Sequence, residues 1–387
     1  MRRFRLGSVF GIPIELDITF LLIIPIFAYL IGSQVVPTAN LLNMVWDAQI
    51  APQALASGST PWILGTIAAL GLFVGVVLHE LGHSLVALHF GYAIESITLW
   101  ILGGIASITD MPEDWRQELL IAVAGPFVSI LLGVGCYLIF LVLPETFYAG
   151  RFVLGYLAIL NVALAAFNLL PGFPMDGGRV LRALLARTRS HRRATQIAVT
   201  VGKGFALFLG FIGLLGFNII LIGIALFIYV GASSEMQQQL LEDAFKGVSV
   251  RKIMTPAEDL DTVAAGTSIS ELLEQMFRQR HVGYPVVDDG TVVGMITLDD
   301  ISSVPPVERD AITAADMMET DLKTIATTAD IIDALSELQR NKIGRLLVMD
   351  TDDELTGMIT RTDLTRALSI ANQIESTDYA NSRQRNS

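Results

Sequence analysis

The sequence predicts a polytopic α-helical membrane protein, six transmembrane helices with a small membrane-associated β element, joined to an α/β region built as a tandem repeat. Three observations carry this prediction. The chain has 387 residues, 52% hydrophobic and only 17% charged, and a mean hydropathy of +0.56, too apolar for a soluble chain of this length. Runs long enough to cross hydrocarbon, which takes roughly 20 helical residues, occur near residues 17–36, 62–90, 117–143, 152–171, 195–215 and 217–234. Charge is segregated: up to Glu235 twelve Lys/Arg balance twelve Asp/Glu, so the whole net charge of −12 falls after it.

The first run follows basic residues at 2–5 and superficially has the layout of a signal peptide. No small-x-small cleavage site follows Val36, which predicts an uncleaved signal anchor. Arg2, Arg3 and Arg5 precede this run, and Arg179, Arg182, Arg187, Arg189, Arg192 and Arg193 crowd the segment between the fourth and fifth. With six crossings both clusters fall on one side, the cytoplasm by the positive-inside rule, together with the N-terminus and the acidic C-terminal region. The localisation expected is therefore a multi-pass protein of the cell membrane, with the arginines at 179–193 anchoring on lipid headgroups. Gly216 and Phe217 leave almost no loop between the last two runs, which predicts a tight helical hairpin. Cys136 is the single cysteine, which excludes an intrachain disulfide, and in an apolar run its thiol is expected to pack. The acidic second half argues against nucleic acid as a partner.

Residues 76–90 read VVLHELGHSLVALHF. In a helix His79 and His83 share a face, where two imidazoles can grip one Zn2+, with Glu80 placed to act as a base on water. The orientation puts this motif in the later half of an outside-to-inside helix, with His83 about 10 Å short of Phe90 along the axis. A catalytic zinc wants three protein ligands and an open position. The stretch Asn168-Leu-Leu-Pro-Gly-Phe-Pro-Met-Asp176-Gly-Gly-Arg179 supplies a candidate: two prolines and three glycines break an apolar helix end beside a carboxylate. A carboxylate unpaired there would be costly, so a metal is an attractive partner for Asp176. The alternative is an ordinary helix stop with a turn aspartate. Between the second and third runs, residues 97–108 read as strand-like segments around Gly103 and Gly104. Such backbone sits in a bilayer only when paired or lining a cavity. Other polar residues have plainer readings: His89, nearly opposite His83 on the helix, as a structural or interfacial histidine, and Asp110, Glu113 and Asp114 as a solvated loop.

HELGH in one apolar segment and N-x-x-P-x-x-P-x-D-G-G in a later one resemble the site-2 protease family of intramembrane zinc metalloproteases, over roughly residues 5–232. The resemblance implies His79, His83 and Asp176 as ligands of one Zn2+ per chain, Glu80 as general base and Asn168 as a hydrogen-bond donor to the substrate carbonyl. It implies an endopeptidase that cuts within or near a transmembrane segment of a protein substrate in the lipid bilayer. It also implies that the 97–108 segment is the sheet and GG element beside the site. An unwound substrate would add to its edge at Gly103 and Gly104 by β-augmentation, the alternative being a small structural hairpin. Gly125 and Pro126, in the similarly familiar AGP stretch, are expected to pack and kink the third helix.

In the acidic half, Gly294-Met-Ile-Thr297-Leu-Asp-Asp300-Ile recurs 63 residues later as Gly357-Met-Ile-Thr360-Arg-Thr-Asp363-Leu, an internal duplication. Both copies resemble cystathionine-β-synthase-type (CBS) domains, over about residues 248–370. The resemblance implies that Thr297 and Thr360 face the phosphate, and Asp300 and Asp363 the ribose hydroxyls, of an adenine nucleotide, ATP or AMP. A hydroxyl with helix N-terminal amides suits phosphate, and a carboxylate suits a diol. The same residues also make ordinary N-caps, leaving open a module that only forms a homodimer. The expected layout is a transmembrane metalloprotease domain at 1–235, a linker helix at 236–250, CBS domains at 251–307 and 308–370, and a disordered polar tail at 371–387, the pair modulating access to the zinc site. One rival is a CBS-gated channel or transporter with a structural metal site, which leaves the HELGH spacing and Asp176 unexplained. Another is a catalytically inactive zinc-binding adaptor, which leaves Glu80 unexplained.

Overall fold

The computed structural model describes residues 3–100, 103–108, 112, 114–245, 248–351 and 354–367. It divides into two units, Met1–Gln239 and Leu240–Ser387. The first opens with strands β1 (Arg3–Val9) and β2 (Ile12–Asp17). Helices α1 (Ile18–Ser33), α2 (Val35–Trp46), α3 (Pro52–Leu55) and α4 (Thr60–His89) follow, then β3 (Ile94–Trp100) and β4 (Gly103–Ile108). Helices α5 (Trp115–Val142), α6 (Tyr148–Asn168), α7 (Asp176–Ala186), α8 (His191–Leu215) and α9 (Ile219–Phe245) complete it.

Helices α4, α5, α6, α8 and α9 are each long and apolar enough to cross a membrane. The pair α1 and α2, bent by 63°, adds a sixth if it counts as one span. The expected first span is thus shorter than its apolar run: α1 has 16 residues, roughly 24 Å of helix against about 30 Å of hydrocarbon. Glycines let α1 and α4 touch, since a Cβ on Gly32 would lie 2.9 Å from Trp62 and one on Gly65 would strike Ala28 O. α4 and α6 run parallel, because Leu157 abuts Gly71 and, one turn on in both helices, Asn161 abuts Gly75. Arg151, 7% exposed, ties loops to this bundle: its guanidinium donates to Ala48 O (3.0 Å) and Leu143 O (2.8 Å) and lies 4.4 Å from the Phe140 ring centre.

The N-terminal segment holds a hairpin that the sequence reading treated only as a basic leader. Phe10 and Gly11 both have positive φ, as a two-residue hairpin turn requires, and Arg3 and Arg5 stand on β1. Along β2, Ile12, Ile14 and Leu16 are buried at alternate positions, the period of a strand with one covered face. The sheet order is β1-β2-β3-β4, with β2 parallel to β3 and β3 antiparallel to β4, so β4 is an edge strand. Ile12 and Ile97 pack on Leu81 of α4, and Leu16 and Leu99 pack with Phe73 and Val76. The sheet therefore lies against the helix that carries HELGH.

The second unit contains β5 (Thr255–Pro256), β6 (Val263–Ala264), α10 (Ile269–Gln279), β7 (Gly283–Asp288), β8 (Thr291–Thr297), α11 (Leu298–Ile301) and α12 (Ala314–Met317). The chain continues through β9 (Thr324–Ala326), α13 (Ile331–Arg340), β10 (Arg345–Met349) and β11 (Leu355–Thr360). The duplication appears as two helix–hairpin modules, α10-β7-β8 and α13-β10-β11, but their lead-in segments cross over. β5 joins the sheet of the second module, in order β5-β11-β10-β9, and Val250 sits in that module's core with Ile331, Leu346 and Ile359. Met295 of the first module bridges Glu319. α9 runs without a break through Glu235 to Phe245. The expected tail at 371–387, and Asp110 and Glu113, lie outside the described residues, while Asp114 N-caps α5 through Arg116 N (2.9 Å).

Replacing Arg151 by Ala removes charge-assisted hydrogen bonds worth about 1.5–3 kcal/mol each. The detergent-solubilised variant should melt several degrees below the wild type, and superimposable melting curves would contradict this role.

Candidate metal centre

α4 brings His79 and His83, 3% and 5% exposed, to one face within an apolar helix. Asp176 arrives from the first residue of α7, with its side chain 15% exposed. The chain reaches this position because Gly177 and Gly178 admit the preceding segment: a Cβ on Gly178 would lie 2.5 Å from Phe173 N, and one on Gly177 would strike the carbonyls of Leu169 and Leu170. Asp176 Oδ2 is 3.2 Å from His79 Nε2 and 3.2 Å from His83 Nε2, and the two Nε2 atoms are 3.2 Å apart. Three donors bound to a tetrahedral zinc at about 2.0–2.1 Å would stand roughly 3.3 Å apart. Among the described residues, these three form the cluster able to hold a metal ion.

The proton positions sharpen that fit. His83 Nδ1 donates to the carbonyl of Ile121 at 2.7 Å, so in the neutral ring Nε2 carries a lone pair. His79 Nδ1 lies 2.9 Å from Ser129 Oγ, a hydroxyl able to accept its proton, and in that tautomer the Nε2 of His79 carries a lone pair as well. An ionised oxygen and two nitrogen lone pairs converging at 3.2 Å repel one another unless a cation lies among them. Nitrogen and carboxylate donors of this kind suit Zn2+.

Residues of α5 build the back wall: Gly125, expected from the sequence only to pack, and Ile121 and Ser129, to which the sequence gives no role. Ile121, Gly125 and Ser129 follow one another at intervals of four residues and so share a face. A Cβ on Gly125 would lie 2.7 Å from His79 Nε2 and nearer still to His83 Nε2. Gly125 therefore makes room for the imidazoles, while α5 continues helical through the buried Pro126. Gly82 permits the matching approach from α4, since its Cβ would lie 2.9 Å from Ala124 O. The i, i+4, i+8 spacing was visible in the sequence, but it signals only a shared helix face and says nothing of what that face meets.

Glu80 is half-buried and lies against the edge strand: a Cβ on Gly104 would be 2.5 Å from Glu80 Cγ and 3.1 Å from Oε1. Gly103 and Gly104 pair with Trp100 and Leu99 in β4. Asn168 ends α6, half-buried; among the described residues its side chain has no hydrogen-bond partner. Extending the α4–α6 register from Gly75 and Asn161 puts Asn168 level with Gly82, within the HELGH turn. His89 is exposed in the last turn of α4, its ring 5.5 Å from Phe90. Contrary to its expected place among headgroup-anchoring arginines, Arg182 is 3% exposed and pairs with Glu118 and Glu235 at 2.6 Å each.

In the second unit, Thr297 Oγ1 and N donate to Asp300 Oδ2, both at 2.7 Å. Thr360 Oγ1 and N donate to Asp363 Oδ2 at 2.7 and 2.9 Å. Both pairs are helix-start boxes. Thr313 and Asp316 make a third, with the same 2.7 and 2.9 Å bonds, outside the repeated motif. The box is thus a local capping device whatever else its residues contact.

The family model of peptidase family M50 matches residues 67–152 and 149–209, and that of the CBS domain matches residues 250–306 and 314–370. The zinc metalloprotease MJ0392 of Methanocaldococcus jannaschii is 36% identical over 369 residues, 95% of this chain and 96% of that protein. The chain belongs to peptidase family M50, the site-2 proteases. The putative zinc metalloprotease sll0528 of Synechocystis is 30% identical over 379 residues, 94% of this chain and 95% of that protein. The solved site-2 protease from Methanocaldococcus jannaschii is 36% identical and covers 61% of this chain and 95% of its own, with a TM-score of 0.42. Family membership makes the chain a metalloendopeptidase with a CBS pair, and decides against the channel or transporter.

Two substitutions test the back wall in purified protein. Gly125→Ala should yield folded protein with little bound zinc. Ser129→Ala should weaken zinc about tenfold, the scale for a hydrogen-bond partner of a ligand histidine. Wild-type zinc content in Gly125→Ala would contradict the packing described.

Proposed function

We propose that the chain is an intramembrane zinc endopeptidase that hydrolyses a peptide bond within or near a transmembrane segment of a membrane-protein substrate. His79, His83 and Asp176 hold the ion, and Glu80 acts as general base. The observation that carries this reading is the triangle of three lone-pair donors, 3.2 Å on each side, set among helices long and apolar enough to span a bilayer. When bound, zinc polarises the scissile carbonyl and acidifies water toward a pKa of about 7. Glu80, between His79 and His83 on α4, would accept the proton of the attacking water and pass it to the leaving amine. Asn168, level with this turn and with its amide free among the described residues, donates to the carbonyl oxygen as it gains charge.

A peptide bond inside a helix has its N–H and C=O engaged and is shielded by side chains, so a membrane-spanning substrate has to unwind. β4 supplies a place to do so. As the edge of its sheet it has no strand partner on its outer side among the described residues, and Gly104 brings that edge against Glu80. A substrate strand added there exchanges its helical hydrogen bonds for ladder bonds and carries its scissile bond past the general base. Arginine-rich flanks support a cytoplasmic N-terminus and CBS pair by the positive-inside rule. The CBS family match supports a regulatory reading in which Thr297, Asp300, Thr360 and Asp363 bind ATP or AMP and modulate substrate entry, the alternative being a pair that only joins two chains as a homodimer.

The test is cleavage of a single-span substrate by the purified protein in liposomes. Glu80→Gln should retain zinc and lose cleavage by a factor of 10² or more, the usual scale for a general base; a zinc-loaded Glu80→Gln enzyme that still cleaves refutes the assignment. Gly104→Ala, which pushes a methyl group into Glu80, should lower kcat while leaving zinc content unchanged. Saturating ATP or AMP should change the cleavage rate of the wild type, and identical rates with and without nucleotide would remove the regulatory part.

A further inference from the structure

The buried Arg182 has no place in the chemistry above, yet it joins the elements that build the metal centre. It lies on α7, six residues after Asp176, with Nε donating to Glu118 Oε1 on α5 and Nη1 donating to Glu235 Oε1 on α9, both at 2.6 Å. Its guanidinium also sits 5.0 Å from the ring centre of Phe173, in the segment that leads into Asp176. One planar cation therefore fastens α7, the Pro171–Met175 segment, the first turn of α5 and α9. Glu118 is on the α5 face that continues through Ile121, Gly125 and Ser129, so the anchor point and the wall behind the imidazoles share one rigid helix.

We propose that Arg182 is a positioning residue that sets the distance of Asp176 from His79 and His83, with Glu118 and Glu235 as its fixed points. Asp176 is the only one of the three candidate ligands that does not come from α4, so the triangle closes only if α7 keeps its place. Packing of Gly177, Gly178 and Leu181 holds α7 against its neighbours, but such contacts are not directional, and an isolated helix of 11 residues is marginal. The two carboxylates hold it through directional, charge-assisted bonds to a fork whose two arms point to different helices. Their geometry also explains why lysine would be a poor substitute, since a single ammonium cannot keep both directions at once. Because Glu118 is 4% exposed and its Oε2 has no partner among the described residues, loss of the guanidinium leaves a buried carboxylate uncompensated and weakens the hold of α5 on α7.

This inference rests on the assignment of His79, His83 and Asp176 as the zinc site. The experiment measures zinc affinity by chelator competition, kcat, KM and the melting curve of the metal-free protein, for full-length wild type, Arg182→Lys, Glu235→Gln and Glu235→Asp. Arg182→Lys and Glu235→Gln should bind zinc at least tenfold more weakly and lose kcat with KM nearly unchanged. Glu235→Asp should recover part of both. The metal-free melting curves should move much less than zinc affinity does. Zinc affinity and kcat within twofold of wild type in both Arg182→Lys and Glu235→Gln would overturn the proposal. Losses that merely follow the metal-free melting temperature would overturn it too, reducing the network to a general brace. A wild type that binds no zinc would instead remove the metal assignment on which the inference stands.

Discussion

Three lone-pair donors held 3.2 Å apart are the constraint around which the membrane unit is arranged. Such a cluster is unfavourable on its own and becomes favourable only around a cation, so every neighbouring element either fixes a donor or makes space for it. Two helices have to approach closely enough for imidazoles to reach across, and Gly82 and Gly125 remove the side chains that would prevent it. Each histidine has its outer nitrogen committed, one to a carbonyl and one to a hydroxyl, which aims both inner nitrogens at the same point. The carboxylate comes from a separate short helix, started by a glycine pair that lets the chain fold back on itself.

Hydrophobic burial sets the terms on which this polar centre exists. Apolar faces pack the helices, but the polar groups among them are satisfied almost one by one, as low dielectric demands. Arg151 caps loop carbonyls, Ser129 meets an imidazole, and Arg182 joins two acidic side chains from different helices. Glu118 Oε2 and Asn161 Oδ1 are exceptions, and so is the edge strand β4, whose outer side has no strand partner among the described residues. On the proposed reading that edge is where an unwinding substrate is received, and the same apolar setting that makes water scarce limits hydrolysis to segments able to extend along it.

Much of this was legible in the chain, for reasons that differ from element to element. His79 and His83 are four residues apart on an apolar helix, so their convergence follows from the helical period alone. Asp176 was readable because a carboxylate after a proline-broken apolar run needs a partner. The strands around Gly103 and Gly104 were visible from alternation, and the CBS repeat from self-similarity. The N-terminal hairpin was not, because Arg3 and Arg5 look like a basic flank and the Phe10-Gly11 turn lacks the asparagine or aspartate that usually announces one. The break between α1 and α2 was hidden by continuous apolarity. Arg182 was placed on the surface because a charge count along the chain cannot see Glu118 and Glu235, far from it in sequence. The crossing of lead-in segments between the two CBS modules was likewise invisible to a reading that cuts repeats at equal intervals.

The claim that organises the account is that His79, His83 and Asp176 together hold one zinc ion, and X-ray absorption at the zinc edge of the purified protein tests it most directly. The account predicts one zinc per chain with four nitrogen or oxygen neighbours at about 2.0–2.1 Å, outer-shell scattering from two imidazoles, and loss of one light-atom neighbour in Asp176→Ala. A sulfur neighbour, a single imidazole, or an Asp176→Ala spectrum identical to the wild type would contradict it.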